Sequence, residues 1–337
     1  MKKHLSVLLI FFLLFAAASA FSTQRSGVVT LDVDFSGHGA GKEAKLWIPY
    51  PVTDRYQTIG DIKVSGNFAS SGVYTDRAYG TPILYAQWPA DAKSRKLTFS
   101  FSVDRQEIRQ SNLPTNEPAW NAVDYAEYLK PTSLCPSDGE VKKMADQITK
   151  GKKTVLAKAR AIYDWCCENT YRNPATIGCG KGDVLALLKN PGGKCTDISS
   201  VFVGLCRAAG VPAREIFSIR LGKKPTEDIT TYQHCWAEFF LPGYGWVTAD
   251  PADVRKAMLV EKLELKDART KEYREYFWGG VDAYRVVIAT GRDVVLNPLQ
   301  AGAPLNTFGY PYAEIGGAVV DFYQPSSFRY TYHFQEK

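Results

Sequence analysis

The sequence predicts an α+β protein in which a small antiparallel β-sandwich precedes a domain of helices and strands. Two patterns lead to this fold class. Apolar and polar residues alternate with period two through residues 27–109, which is typical of half-buried antiparallel strands. Residues 141–209 instead carry apolar residues at helical spacing, and strand-like alternation returns after Pro212. Helices that are followed by a run of strands indicate an α+β domain.

Residues 1–20 have the features of a signal peptide. Lys2 and Lys3 precede an apolar run over residues 5–17, and the small residues at 18–20 fit a cleavage site. The run is short for a membrane span. We therefore expect an exported protein, periplasmic or secreted, that does not span a membrane after the signal is removed. An uncleaved anchor is the alternative.

The charge of the chain does not favour nucleic acid as a partner. Its formal net charge is +6, and removal of Lys2 and Lys3 lowers it to +4 because the segment contains no acidic residue. The remaining excess is small and forms no basic block, so we expect no nucleic-acid binding.

The predicted sandwich occupies residues 21–110. Val29, Leu31 and Val33 alternate with polar residues, and residues 97–103 repeat the pattern. Residues 111–138 contain several prolines and asparagines, which indicates a linker that runs over a surface.

Residues 139–255 form the predicted mixed core. Apolar faces predict helices that begin near residues 141, 155 and 183. Gly192 and Gly193 then supply a turn, and Cys195 begins a helix that ends at Gly210. This last helix is expected to bury one face, made of Ile198, Val201, Phe202, Leu205 and Ala209.

Strands follow Pro212, and two of them are predicted to form a hairpin. Residues 233–241 alternate in polarity, residues 242–245 provide a turn, and residues 246–250 return. Residues 256–337 contain a charged helix-like segment at 261–275 and then aromatic strands. We expect them to pack on the core as an extension.

Cys195 is the candidate nucleophile. The start of a helix leaves backbone N–H groups unpaired, and the helix dipole favours an anion there. Both effects promote a reactive thiolate. A structural cysteine is the alternative, but Cys195 precedes the apolar face of its helix rather than lying on it.

His234 and Asp250 are the candidate partners of Cys195. A cysteine nucleophile needs a basic partner, and that partner needs a group to orient it. Of the four histidines, His234 is the one that lies in a strand soon after the cysteine helix, and Asp250 ends the return strand of the same hairpin. An odd-length loop places Asp250 on the same face as His234, and a five-residue loop is expected to place it opposite Trp236 and diagonal to His234. A four-residue loop turns the carboxylate away unless a bulge corrects it.

Two other acids compete with Asp250 for the role of orienting His234. Glu238 lies on the same strand as His234, and Asp253 follows Pro251, where we expect it to face solvent.

The seven cysteines suggest disulfides. The number is odd, so an exported chain would keep at least one thiol free and could form up to three bonds. Cys179 with Cys166 or Cys167 is a local possibility. The sequence lacks Cys-x-x-Cys and any close histidine pair, so we expect no metal site and no cofactor.

Three segments together resemble the transglutaminase-like superfamily. They are residues 193–197 (GKCTD), 232–238 (YQHCWAE) and 245–251 (GWVTADP), and they occur in the family's order within residues 140–255. The resemblance implies a papain-like α+β fold and a Cys-His-Asp triad carried by Cys195, His234 and Asp250. It also implies an oxyanion site formed by the Cys195 N–H and an upstream side chain, for which Tyr171 is our candidate. Trp236 is a candidate wall of the substrate pocket.

The family resemblance leaves the reaction open. Its members share a thioester intermediate, which either water or an amine resolves. We expect an amide hydrolase that acts on a peptide or protein, including cell-wall peptides. The alternatives are a crosslinking acyl transferase and a binding module that keeps the fold without turnover.

Overall fold

The computed structural model describes residues 23–337. The predicted signal peptide lies outside the described residues. The helices, in chain order, are α1 (Gly139–Ile148), α2 (Val155–Asn169), α3 (Val184–Lys189), α4 (Cys195–Ala208), α5 (Pro251–Glu261) and α6 (Ala268–Tyr276). Two 3₁₀ helices span Ser36–His38 and Ala122–Tyr128.

The strands of residues 23–337, in chain order, are β1 (Gln24–Asp34), β2 (Ala44–Pro49), β3 (Gln57–Gly66), β4 (Ser70–Thr75), β5 (Pro82–Trp88), β6 (Lys96–Gln106), β7 (Ile108–Arg109), β8 (Tyr171–Arg172), β9 (Gly192–Gly193), β10 (Ala213–Arg220), β11 (Thr226–Asp228), β12 (Gln233–Leu241), β13 (Gly245–Ala249), β14 (Gly280–Val281), β15 (Arg285–Thr290), β16 (Tyr312–Ile315), β17 (Ala318–Val320) and β18 (Arg329–Glu336).

A sandwich of two five-stranded antiparallel sheets forms one half of the molecule. One sheet has the order β11-β18-β1-β6-β3 and the other has the order β17-β16-β2-β5-β4. The alternation predicted for the first strands is confirmed, because Val29, Leu31 and Val33 are buried between the sheets. Trp47 and Trp88 fill the same interior.

The end of the chain completes this sandwich, which corrects the predicted placement of residues 256–337 on the core. β18 pairs with β1 so that Phe334 lies opposite Val29 and Tyr332 opposite Leu31. β16 pairs with β2 in the other sheet. Period-two alternation identifies a strand but says nothing about which strand it pairs with. Only α6, β14 and β15 of this segment, together with most of α5, belong to the mixed core.

The mixed core packs its helices on a four-stranded antiparallel sheet of order β13-β12-β10-β15. The helix α4 lies at its centre, and every residue of 195–208 is buried. The prediction of a single buried face is therefore too narrow, because neighbouring elements cover α4 on all sides. The fold class, α+β with a β-sandwich, is confirmed.

The sequence analysis did not predict one of the helices. Residues 251–261 form α5, with Asp250 as its N-cap and Pro251 in the first turn. An aspartate followed by proline is a common helix start, so a signal was present. The charged helix predicted at 261–275 is shorter and begins later, at Ala268.

The two halves share a hydrophobic interior. The cluster that fills the sandwich continues to Ile198 of α4 and to Phe217 and Ile219 of β10. The part of the chain from residue 23 onward contains no helix that is long and apolar enough to cross a membrane.

Gly27 tests the contact between β1 and β18. A Cβ atom on Gly27 would lie 2.3 Å from Cε2 of Phe334 and 2.5 Å from the backbone oxygen of Gln335. We expect Gly27→Ala to lower the free energy of unfolding by about 1–3 kcal/mol, because either the strand or the ring must move. Gly37→Ala is the control and should change it by less than about 0.5 kcal/mol, since no atom lies within 4 Å of the added carbon. Equal urea midpoints for the two variants would contradict the pairing.

Candidate active site

Cys195 is the first residue of α4, as predicted, and only 2% of its surface is exposed. Asp197 organises the turn that leads into it. The Asp197 carboxylate accepts hydrogen bonds from the backbone N–H groups of Lys194 at 3.1 Å, Lys181 at 3.0 Å and Gly182 at 2.9 Å. One side chain therefore joins the start of α4 to the preceding loop.

That loop approaches Asp197 closely because it contains glycine. Gly180 has φ +96°, and a Cβ atom on it would lie 1.9 Å from Oδ2 of Asp197. An L side chain is disfavoured there for both reasons. The Thr196 N–H donates to the carbonyl of Cys179 at 2.9 Å, so the same loop holds Cys179 beside the helix start.

His234 and Asp250 meet on the hairpin of β12 and β13. Their register pairs Ala237 with Ala249 and Leu241 with Gly245, so three residues form the connection. The loop length is odd, as required for contact, but it is three residues and not the expected five. This register places Asp250 opposite Trp236 and diagonal to His234. The His234 Nε2–H donates to Oδ2 of Asp250 at 2.8 Å, and both side chains are buried.

Arg285 is an unpredicted member of this group. It is fully buried and donates from Nη1 to Asp250 Oδ2 and from Nη2 to Asp253 Oδ2, each at 2.5 Å. Burial alone would lower the pKa of Arg285, but Asp282, Asp253 and Asp250 outweigh it and raise the pKa. The guanidinium therefore stays charged and clamps the carboxylate that orients His234.

Asp253 does not face solvent as expected. The first turn of α5 folds it back, since the Asp253 N–H donates to Oδ1 of Asp250 at 2.9 Å. Its own Oδ1 lies 3.6 Å from His234 Nε2. Burial raises the pKa of Asp253, but Arg220 and Arg285 outweigh this and hold it well below its usual value. His234 thus has a second carboxylate near it besides that of Asp250.

Glu238, the other acid considered for orienting His234, binds a different residue. Arg214 donates a hydrogen bond to its Oε2 at 2.8 Å.

Three thiols converge at the start of α4. The Sγ atoms of Cys179, Cys195 and Cys235 all lie within 4.8 Å of one another, and all three residues are buried. Hydrogen bonds from Cys179 and Cys235 stabilise the Cys195 thiolate, and His234 adds a hydrogen bond and its charge. Together they hold the pKa of Cys195 well below its usual value despite burial.

The predicted disulfides are absent. All seven cysteines lie among the described residues and are free thiols. Cys166 and Cys167 belong to the interior of the helical core, whereas Cys179 lies in the cluster that includes Cys195. The proposed local pair is therefore separated by the fold, which the cysteine count alone does not predict.

The two remaining predicted site residues, Tyr171 and Trp236, make contacts outside the thiol cluster. The Tyr171 hydroxyl donates to Asn190 Oδ1 at 3.3 Å at the surface, and its ring packs over Gly192. Trp236 is fully buried against Ile108 and Val281, so the pocket-wall prediction is wrong. Trp236 shares a strand face with His234, but β7 and β14 cover that part of the face.

A cleft of about 750 Å³ opens beside His234. Its lining includes Gln233, Tyr232, Asp253, Arg172 and Lys256. The buried Nε2 of Gln233 and Nη1 of Arg172 have no hydrogen-bond acceptor among residues 23–337. Unpaired buried donors in the lining of a cleft are the kind of group that a substrate would satisfy.

Four residues of this site were not predicted: Arg285, Cys179, Cys235 and Gln233. Arg285 is distant in sequence and lies in an ordinary strand. Cys235 points away from His234 along β12, which favoured a core position. Only the glycines around Cys179 gave a local signal, since closely spaced glycines indicate a tight backbone approach.

Comparison with known proteins agrees with this geometry. A model of the transglutaminase-like superfamily matches residues 142–251, which hold Cys195, His234 and Asp250. An uncharacterised protein of Haemophilus influenzae is 38% identical over 319 residues, covering 87% of this chain and 86% of that protein. The chain belongs to the transglutaminase-like superfamily.

More distant relatives show how much of the chain the similarity covers. This transglutaminase-like chain is 26% identical to YebA of Bacillus subtilis over 159 residues, which cover 43% of this chain and 21% of that protein. A candidate cysteine protease from Cytophaga hutchinsonii has the same fold with a TM-score of 0.55 and 17% identity, covering 93% of this chain and 99% of that one. The likeness therefore includes the sandwich as well as the core.

The thiol cluster predicts selective alkylation. Iodoacetamide at neutral pH should label Cys195 first, because its thiolate is stabilised while burial raises the pKa of Cys135, Cys166, Cys167 and Cys206. Cys179→Ala removes the largest stabilising contact and should move the midpoint of the rate profile to higher pH.

Cys206→Ala is the control for this experiment, since Cys206 lies far along α4 and should leave the midpoint unchanged. Peptide mapping by mass spectrometry identifies the labelled residue. An identical profile in wild type and Cys179→Ala would contradict the assigned contact.

Proposed function

We propose that the protein is an exported cysteine-dependent amide hydrolase in which Cys195, His234 and Asp250 form the catalytic triad. The observation that carries this proposal is the 2.8 Å bond from His234 Nε2 to Asp250 beside a thiol of lowered pKa. That bond occupies one ring nitrogen and leaves the other to exchange a proton with Cys195 and the substrate.

The proposed reaction begins with the Cys195 thiolate, which attacks the amide carbonyl carbon. The resulting oxyanion would lie at the start of α4, where the Cys195 N–H and the helix dipole favour negative charge. Protonated His234 gives its proton to the leaving amine, and the carbon–nitrogen bond breaks to leave a thioester. His234 then takes a proton from water, which attacks the thioester and releases a carboxylate and the thiolate.

Two further residues, Arg285 and Gln233, support the chemistry. Arg285 acts as a positioning residue, since it binds Asp250, which holds the His234 ring. The unpaired Gln233 amide lines the cleft next to His234 and is our candidate donor to the substrate or the oxyanion, in place of Tyr171.

The cleft favours a peptide or protein substrate that carries a carboxylate. The four acids of its lining all accept hydrogen bonds or pair with arginine: Asp253 and Asp282 bind Arg285, Glu227 accepts from the Tyr232 hydroxyl, and Glu261 accepts from the Tyr273 hydroxyl. Arg172 retains an unpaired buried nitrogen, and positive charge nearby, chiefly that of Arg220, lowers the pKa of Lys256. Free cationic groups in a cleft attract anions. Exported cell-wall peptides, which carry free carboxylates, fit this description.

Hydrolysis of a fluorogenic peptide amide with a free carboxylate tests the triad. We expect no turnover for Cys195→Ala and a loss of kcat/KM of about 10²–10⁴-fold for His234→Ala, because general acid–base transfer contributes on that scale. Asp250→Asn should also lower the rate, since an amide cannot hold the imidazolium as a carboxylate does.

Asp228→Asn, at an exposed strand residue, is the matched control and should retain wild-type rates. Added glycine methyl ester supplies an amine and so distinguishes a hydrolase from an acyl transferase. A hydrolase would release a carboxylate, whereas an acyl transferase would form an amide with the added amine. Wild-type protein that forms no thioester adduct by mass spectrometry with any activated ester would indicate a binding module instead.

A further inference from the structure

The three-thiol cluster has a property that the hydrolase mechanism does not use. Catalysis by a triad needs one sulfur, yet Cys179, Cys195 and Cys235 place three within 4.8 Å of one another. They come from three separate elements, namely the loop before α3, the first turn of α4, and β12. No short cysteine motif in the sequence indicates this arrangement; the fold alone assembles it.

We propose that Cys179, Cys195 and Cys235 bind a thiophilic divalent cation of the zinc type, and that the bound cation blocks Cys195 reversibly. Zinc–sulfur bonds are about 2.3 Å long, so sulfurs on one tetrahedral ion lie about 3.8 Å apart. The cluster needs less than about 1 Å of movement per sulfur to reach that spacing.

The surroundings of the sulfurs suit a metal site. The Tyr310 hydroxyl donates to Cys179 Sγ at 3.1 Å, and Thr196 Oγ1 lies 3.0 Å from Cys235 Sγ. Hydrogen bonds of this kind orient ligands and stabilise thiolates in metal sites. The three sulfurs leave one position of a tetrahedral ion for a water molecule.

Convergence of all three sulfurs favours a metal over a disulfide. A disulfide joins only two sulfurs, at about 2.0 Å, and does not require a third sulfur to lie beside them. Metal binding replaces the S–H bonds of Cys179 and Cys235 by metal–sulfur bonds and releases those protons to solvent. It needs no oxidant. The consequence is a nucleophile that is protected while the ion is bound and active after its release.

Cobalt(II) is the probe that tests this site. Reduced, chelator-treated protein without its signal peptide is titrated anaerobically with Co²⁺, and the thiolate-to-cobalt charge-transfer absorption is followed. We expect one equivalent to bind, Zn²⁺ to displace it, and the bound metal to protect Cys195 from iodoacetamide. Cys179→Ser and Cys235→Ser should each lose the absorption or weaken binding by more than about 100-fold, since each removes a ligand.

Two further variants keep the test independent of folding. Cys206 lies eleven residues along α4 from Cys195, a distance of about 16 Å. The Cys206→Ser variant should therefore bind Co²⁺ like the wild type. Tyr310→Phe removes one hydroxyl from Cys179 and should weaken binding about 10–100-fold while the circular dichroism spectrum stays unchanged.

Several outcomes would overturn the site. They are the absence of a charge-transfer band at millimolar Co²⁺, an unaltered band in Cys179→Ser, or a peroxide-induced Cys179–Cys195 disulfide in protein that takes up no metal. The absorption reports metal uptake without turnover, so failure of the proposed hydrolase activity would leave this result interpretable.

Discussion

The carboxylate of Asp250 is the contact on which the arrangement of the site depends. Its Oδ2 accepts from both His234 and Arg285, and its Oδ1 accepts from the backbone at the start of α5. One side chain therefore ends a strand, starts a helix and fixes the imidazole. Arg285 also binds Asp253 and Asp282, so its removal would leave three buried carboxylates with Arg220 as the one remaining guanidinium of this group. Breaking a buried ion pair in this way typically costs about 3–5 kcal/mol.

The charged groups around Asp250 also hold His234 in place. Asp250, Asp253 and Asp282 are three buried carboxylates that share two guanidiniums, Arg285 and Arg220. Two of the carboxylates lie within 3.6 Å of His234 Nε2. His234 in turn stabilises the Cys195 thiolate, together with hydrogen bonds from Cys179 and Cys235.

The sequence predicted those parts of the site that local patterns encode. Cys195 follows from a helix start, and the contact between His234 and Asp250 follows from hairpin parity, because the side-chain period of a strand is two. Arg285, Cys179 and Cys235 come from elements whose mutual placement depends on tertiary packing, so no local pattern identified them. The same limit explains β18, whose alternation was recognisable although its partner β1 lies at the other end of the chain.

The reactivity of Cys195 is the most direct measure of the central claim, that the His234–Asp250 pair maintains the Cys195 thiolate. The rate of Cys195 alkylation by iodoacetamide as a function of pH reports the thiolate. The hydrogen bond and charge of His234 lower the pKa of Cys195, so we expect His234→Gln to move the midpoint of the rate profile to higher pH. The same midpoint in the wild type and His234→Gln would contradict this claim.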